Sequence, residues 1–96
     1  MKRVRVFVSG IVHGVGFRWF VEKNAKELNL KGFVKNIRNG ERAGQVEAVF
    51  QGDEKSIGEI IKLCKKGPLF SYVSKVEVNE ENQTEEFSDF KFLSDI

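Results

Sequence analysis

Three glycines, Gly10, Gly14 and Gly16, stand where an alternating run gives way to a helical one. Glycine at that density costs chain entropy on folding, and a plain connector does not need it. Ahead of it, Val4, Val6 and Val8 fall on every second position, the pattern of a strand with one buried face. Behind it, Phe17, Phe20, Val21, Ala25 and Leu28 recur at steps of three and four, interrupted only by Asn24. That period is helical. A strand that enters a helix through such a turn exposes backbone N–H groups at the positive end of the helix dipole, a ready site for an anion. Arg18 falls in the first helical turn, where a planar guanidinium can grip a phosphate or carboxylate through two parallel hydrogen bonds. The residues alone leave two readings open, an anion cradle or a tight turn with a surface arginine.

The rest of the chain supplies partners for that unit. Phe33–Ile37 and Gln45–Phe50 read as strands joined by the Asn39–Gly44 loop. Asp53 can cap a helix whose stripe is Ile57, Ile60, Ile61 and Cys64, ending at Gly67-Pro68. Val73–Val78 is a fourth strand, 79–86 a polar, acidic, mobile loop, and Phe90 with Phe92 a short fifth strand. Asn29 suits a left-handed helix stop. The order β-α-β-β-α-β plus one strand is that of a ferredoxin-like α/β sandwich of the α+β class. Two helices should cover one face of an antiparallel sheet. No repeat or boundary divides residues 1–96, so a single domain is expected.

Composition removes several function classes. One cysteine excludes a disulfide framework and a cysteine-cluster zinc site, and one histidine, His13, excludes a histidine-based metal site. A net charge of +2 is low for a committed nucleic-acid binder. No run approaches a membrane span and no signal-peptide pattern opens the chain, so a cytoplasmic location is expected. Neither the P-loop nor the dinucleotide fingerprint fits the glycine spacing. Cys64 lies on an apolar stripe and should be a buried, unreactive thiol.

The segment Val8-Ser9-Gly10-Ile11-Val12-His13-Gly14-Val15-Gly16-Phe17-Arg18 closely resembles the signature of the acylphosphatases, and Gly32-Phe33-Val34-Lys35-Asn36 resembles their second signature. The resemblance covers nearly the whole chain. It implies metal-independent hydrolysis of the carboxyl–phosphate bond of acyl phosphates, with neither cofactor nor covalent intermediate. It further implies that the N–H groups of Gly14, Val15, Gly16, Phe17 and Arg18 hold the substrate phosphate. Arg18 and Asn36 are the implied catalytic residues, Asn36 orienting the attacking water. Inorganic phosphate should compete, and a monomer with no nucleic-acid or membrane partner is expected.

Such chemistry suits these residues, because an acyl phosphate has a good leaving group and needs positioning and charge stabilisation more than a strong base. The chain departs from the family pattern at three residues and one loop. His13 replaces the usual glutamine, Phe33 and Lys35 replace tryptophan and arginine, and the Asn39–Gly44 loop is longer. The alternatives are a non-catalytic anion-binding accessory module and an RNA-binding ferredoxin-like domain. The second needs an aromatic pair on the third strand, which Gln45–Phe50 does not supply.

Overall fold

The computed structural model describes residues 1–82 and 86–94. Seven elements follow in the order β1 (Lys2–Ile11), α1 (Phe17–Glu27), β2 (Lys31–Asn36), β3 (Val46–Gly52), α2 (Glu54–Lys66), β4 (Tyr72–Glu80) and β5 (Phe90–Phe92). The strands form one sheet in the order β4-β1-β3-β2-β5. The first four pair antiparallel, as the sequence pattern predicts. The short fifth strand joins that antiparallel sheet at its edge, where β5 runs parallel to β2 and makes the sheet mixed. The reason is topological: the chain returns from β4 at the far edge and enters beside β2 in β2's own direction.

Alternation decides which face is covered. Val4, Val6 and Val8 of β1 lie with Val34 of β2 and Ala48 and Phe50 of β3 in one buried cluster. Phe17, Val21 and Ala25 of α1 and Ile57, Ile60 and Cys64 of α2 close it. Each fully buried side chain of this size contributes roughly 1.5–3 kcal/mol of transfer free energy. Phe90 brings β5 into the core by stacking on Phe50 at 5.7 Å between ring centroids. α1 stops as the sequence suggests, with Asn29 left-handed at φ 59°. α2 starts on Asp53, whose side chain accepts the Ser56 N–H at 2.9 Å, and that bond holds its carboxyl below the ordinary range. Burial pushes the Cys64 thiol up to about 12.

The opposite face carries the other half of each alternation, and there charge replaces helix. Arg5 pairs with both Glu47 and Glu81, and Arg3 with Glu81 at 3.4 Å. The Arg42 guanidinium lies 3.7 Å from the centre of the Phe7 ring and is held by Glu77. Glu81 therefore belongs to a fixed network, and its N–H donates to the Arg3 carbonyl at 3.0 Å. The expected loop over 79–86 begins later than its polarity suggested, since β4 runs to Glu80. Residues 83–85 of that expectation lie outside the described residues. Phe50, the one aromatic of β3, is in the core, so the open face of that strand offers no stacking platform for a nucleic acid.

Candidate functional site

The three glycines divide between two duties. Gly10 sits at a β-bulge with φ 129°, where an added Cβ would lie 2.0 Å from the Tyr72 carbonyl oxygen. It lets β1 and β4 approach. Gly14 and Gly16 have φ of 71° and 79°, and nothing lies within 4 Å of a Cβ built on either. Their left-handed conformation turns the backbone itself, and the space beside them is open. Gly16 is the N-cap of α1, and among the described residues no side chain caps the helix and no acid stands in its first turn. Helix geometry leaves the first N–H groups of such a helix without an intrahelical acceptor.

The same stretch borders a depression of about 140 Å³ lined by Val12, Gly14, Gly16, Phe17, Arg18, Trp19, Asn36 and Phe92. A tetrahedral anion fits within that volume. All the sequence-expected site residues gather here or in the loop that forms it; Val15 packs partly buried against the core.

Arg18 is fixed by the last strand. Its Nη1 donates to the Leu93 carbonyl at 2.9 Å, and its guanidinium lies 4.5 Å from the centre of the Phe92 ring. Asn36 arrives from the sheet. It follows Val34 at the strand period, so it continues the helix-side row of β2 past the edge of the core. Its Oδ1 is buried and has no hydrogen-bond partner among the described residues. A buried amide oxygen in that state calls for a donor, at a cost of ~1–3 kcal/mol if none comes.

His13 is partly exposed in the glycine loop and is tied to the residue before β3. Its Nε2 lies 2.8 Å from the Gln45 carbonyl oxygen, so Nε2 carries the proton and donates. Phe92, Leu93 and Gln45 were not legible as site residues. Only Phe92 carried any signal, as half of an aromatic pair near the end of the chain, and nothing in it named Arg18. Among the described residues no three His, Cys, Asp or Glu side chains cluster so as to hold a metal ion. Nor is any helix long and apolar enough to cross a membrane.

A ferredoxin-like sandwich with an open anion-sized cradle between its first strand and first helix defines a narrow class. The acylphosphatase family model matches residues 4–92. An acylphosphatase of Caldivirga maquilingensis is 45% identical over 93 residues, covering 97% of this chain and 95% of that one. One of Syntrophus aciditrophicus is 42% identical over 95 residues, covering 99% and 95%. The crystal structure of acylphosphatase from Bacillus subtilis superposes with a TM-score of 0.88 at 33% identity, covering 98% of this chain and 100% of that one. The chain belongs to the acylphosphatase family.

Proposed function

We propose that the protein hydrolyses acyl phosphates to a carboxylate and inorganic phosphate without a metal, residues 1–96 acting as a single domain and a monomer in the cytoplasm. The observation that carries the reading is the buried Asn36 Oδ1, an acceptor without a partner among the described residues, in the same depression as the glycine loop and Arg18.

The phosphoryl oxygens lie against the N–H groups of Gly14 through Arg18, where the helix dipole and the guanidinium favour negative charge. One of the five N–H donors of Arg18 goes to the Leu93 carbonyl, which sets the plane of the guanidinium toward the anion. Asn36 Oδ1 accepts an O–H of a water and aims the water's oxygen at phosphorus. The new P–O bond forms as the bond to the acyl oxygen breaks. The carboxylate leaves with the electron pair, and the water's proton passes to a phosphoryl oxygen. No side chain need ionise, because the leaving group is a weak base. Positioning and electrostatics supply the rate.

The test is hydrolysis of benzoyl phosphate in excess chelator. Turnover is expected, with competitive inhibition by inorganic phosphate and little or no hydrolysis of an alkyl phosphate monoester. Activity abolished by the chelator and restored by magnesium or zinc would overturn the metal-free reading.

A further inference from the structure

Resting on that reading, we infer that Trp19 is the platform for the acyl half of the substrate, and that the enzyme therefore favours flat, apolar acyl groups. Displacement at phosphorus is in line, so the acyl group must leave on the side opposite the attacking water. The water is held by Asn36, which belongs to the sheet. What stands across the depression is set by α1. Phe17, Val21 and Ala25 turn their side chains into the core. At 3.6 residues per turn, Trp19 lies about 200° round the helix from Phe17, away from the sheet. The residue is 59% exposed, yet it lines the same depression as Asn36. The Lys23 ammonium, one turn further on, lies 5.3 Å from the centre of the ring.

An exposed indole at the lip of an anion cradle offers a face on which a planar acyl group can stack. A second and larger depression, about 710 Å³ and lined by Lys35, Arg38, Arg42 and Glu47, also reaches Asn36. Its lining includes Phe7, Arg42 and Glu47 of the helix-free face of the sheet, so in-line geometry assigns it to solvent access and not to the acyl group.

The chain has one tryptophan, so its fluorescence reports this position alone. Benzoylphosphonate and acetylphosphonate, which cannot be hydrolysed, are titrated against the protein with inorganic phosphate as the comparison. Benzoylphosphonate should change the emission well beyond phosphate or acetylphosphonate. In kinetics, Trp19→Ala should lower the ratio of kcat/KM for benzoyl phosphate over acetyl phosphate by about three- to tenfold, the range of one aromatic contact. The loss should fall mainly in KM, and Trp19→Phe should restore most of it. Circular dichroism checks that the variants fold. An unchanged ratio in folded Trp19→Ala, with benzoyl phosphate still hydrolysed and phosphate still competing, overturns the inference and leaves the hydrolase intact. So does a ratio that responds to Lys35→Glu but not to Trp19→Ala. A wild-type protein that hydrolyses neither acyl phosphate takes both readings down together.

Discussion

The His13 side chain and the backbone of Gln45 are joined by a 2.8 Å hydrogen bond, and the same carbonyl accepts the Ile37 N–H at 2.9 Å. One oxygen thus ties the glycine loop to the residue that follows Asn36. An amide N–H can donate to that oxygen as an imidazole does. His13→Gln is expected to keep turnover within a few-fold of wild type. His13→Ala should lose about 1 kcal/mol of stability, the net worth of one such bond. Urea titration of the three proteins, alongside benzoyl phosphate kinetics, decides it. A hundredfold loss in His13→Gln would mean that the histidine takes part in the chemistry.

Arg18 and Asn36 should fail differently. Arg18→Ala should weaken phosphate binding and turnover together, and should also lower thermal stability, because the side chain ties α1 to Phe92 and Leu93. Arg18→Lys should recover little, since an ammonium lacks the planar fork. Asn36→Ala should keep phosphate affinity while turnover falls by ~10²–10³, about 3–4 kcal/mol, as for one preorganised hydrogen bond. Its stability should hold or rise, since a buried acceptor without a partner among the described residues has been removed. Calorimetry with phosphate, acyl phosphate kinetics and melting curves separate these outcomes. A folded Asn36→Ala with full turnover removes the residue from the mechanism.

Gly16→Ala and Gly10→Ala should part company. At Gly16 nothing crowds the new methyl group, so the cost is that of left-handed backbone, about 1–2 kcal/mol. At Gly10 the methyl meets the Tyr72 carbonyl at 2.0 Å and two strands must separate. Gly16→Ala should fold with weakened phosphate affinity, and Gly10→Ala should be far less stable in denaturant. Equal stability of the two would remove the distinction drawn between the glycines.

Cys64 sets an alkaline limit. Its thiol rises from the ordinary 9.0 to about 12 because it is fully buried. A raised acid favours the folded state below its unfolded pKa, and that stability is lost as pH climbs toward the folded value. Between pH 9 and 11 the wild type should lose up to about 1.4 kcal/mol per pH unit more than Cys64→Ala. Native protein at pH 8 should resist alkylation, and protein unfolded in urea should react. Rapid labelling of the native thiol would contradict the burial.

The fold was readable because its two periods are clean. Val4, Val6 and Val8 allow one strand face, and Phe17, Val21 and Ala25 allow one helix face, so a single layered arrangement buries both. The direction of β5 was not readable, since three residues carry no orientation of their own and the choice lies in how the chain returns. The glycine turn was readable because local backbone makes it. What holds Arg18 and His13 was not, because Leu93 and Gln45 contribute carbonyl oxygens, and a carbonyl leaves no trace in residue identity. Trp19 follows the quoted motif directly, but only the turn of α1 brings it to the depression that Asn36 also lines.

The bond from Arg18 to Leu93 spans 75 residues, and it has a kinetic meaning. Val4 of β1 meets Glu80 of β4 across as long a stretch of chain, but within a long ladder that offsets the cost of loop closure, whereas this bond waits on a much shorter strand. β5 is three residues long at a sheet edge and can dock only once β2 is in place. A refolding protein should therefore recover its helices and its four longer strands before it recovers the grip on phosphate. Competence to bind the anion then serves as a clock for the final step of folding, and stopped-flow refolding should record far-ultraviolet ellipticity returning ahead of activity.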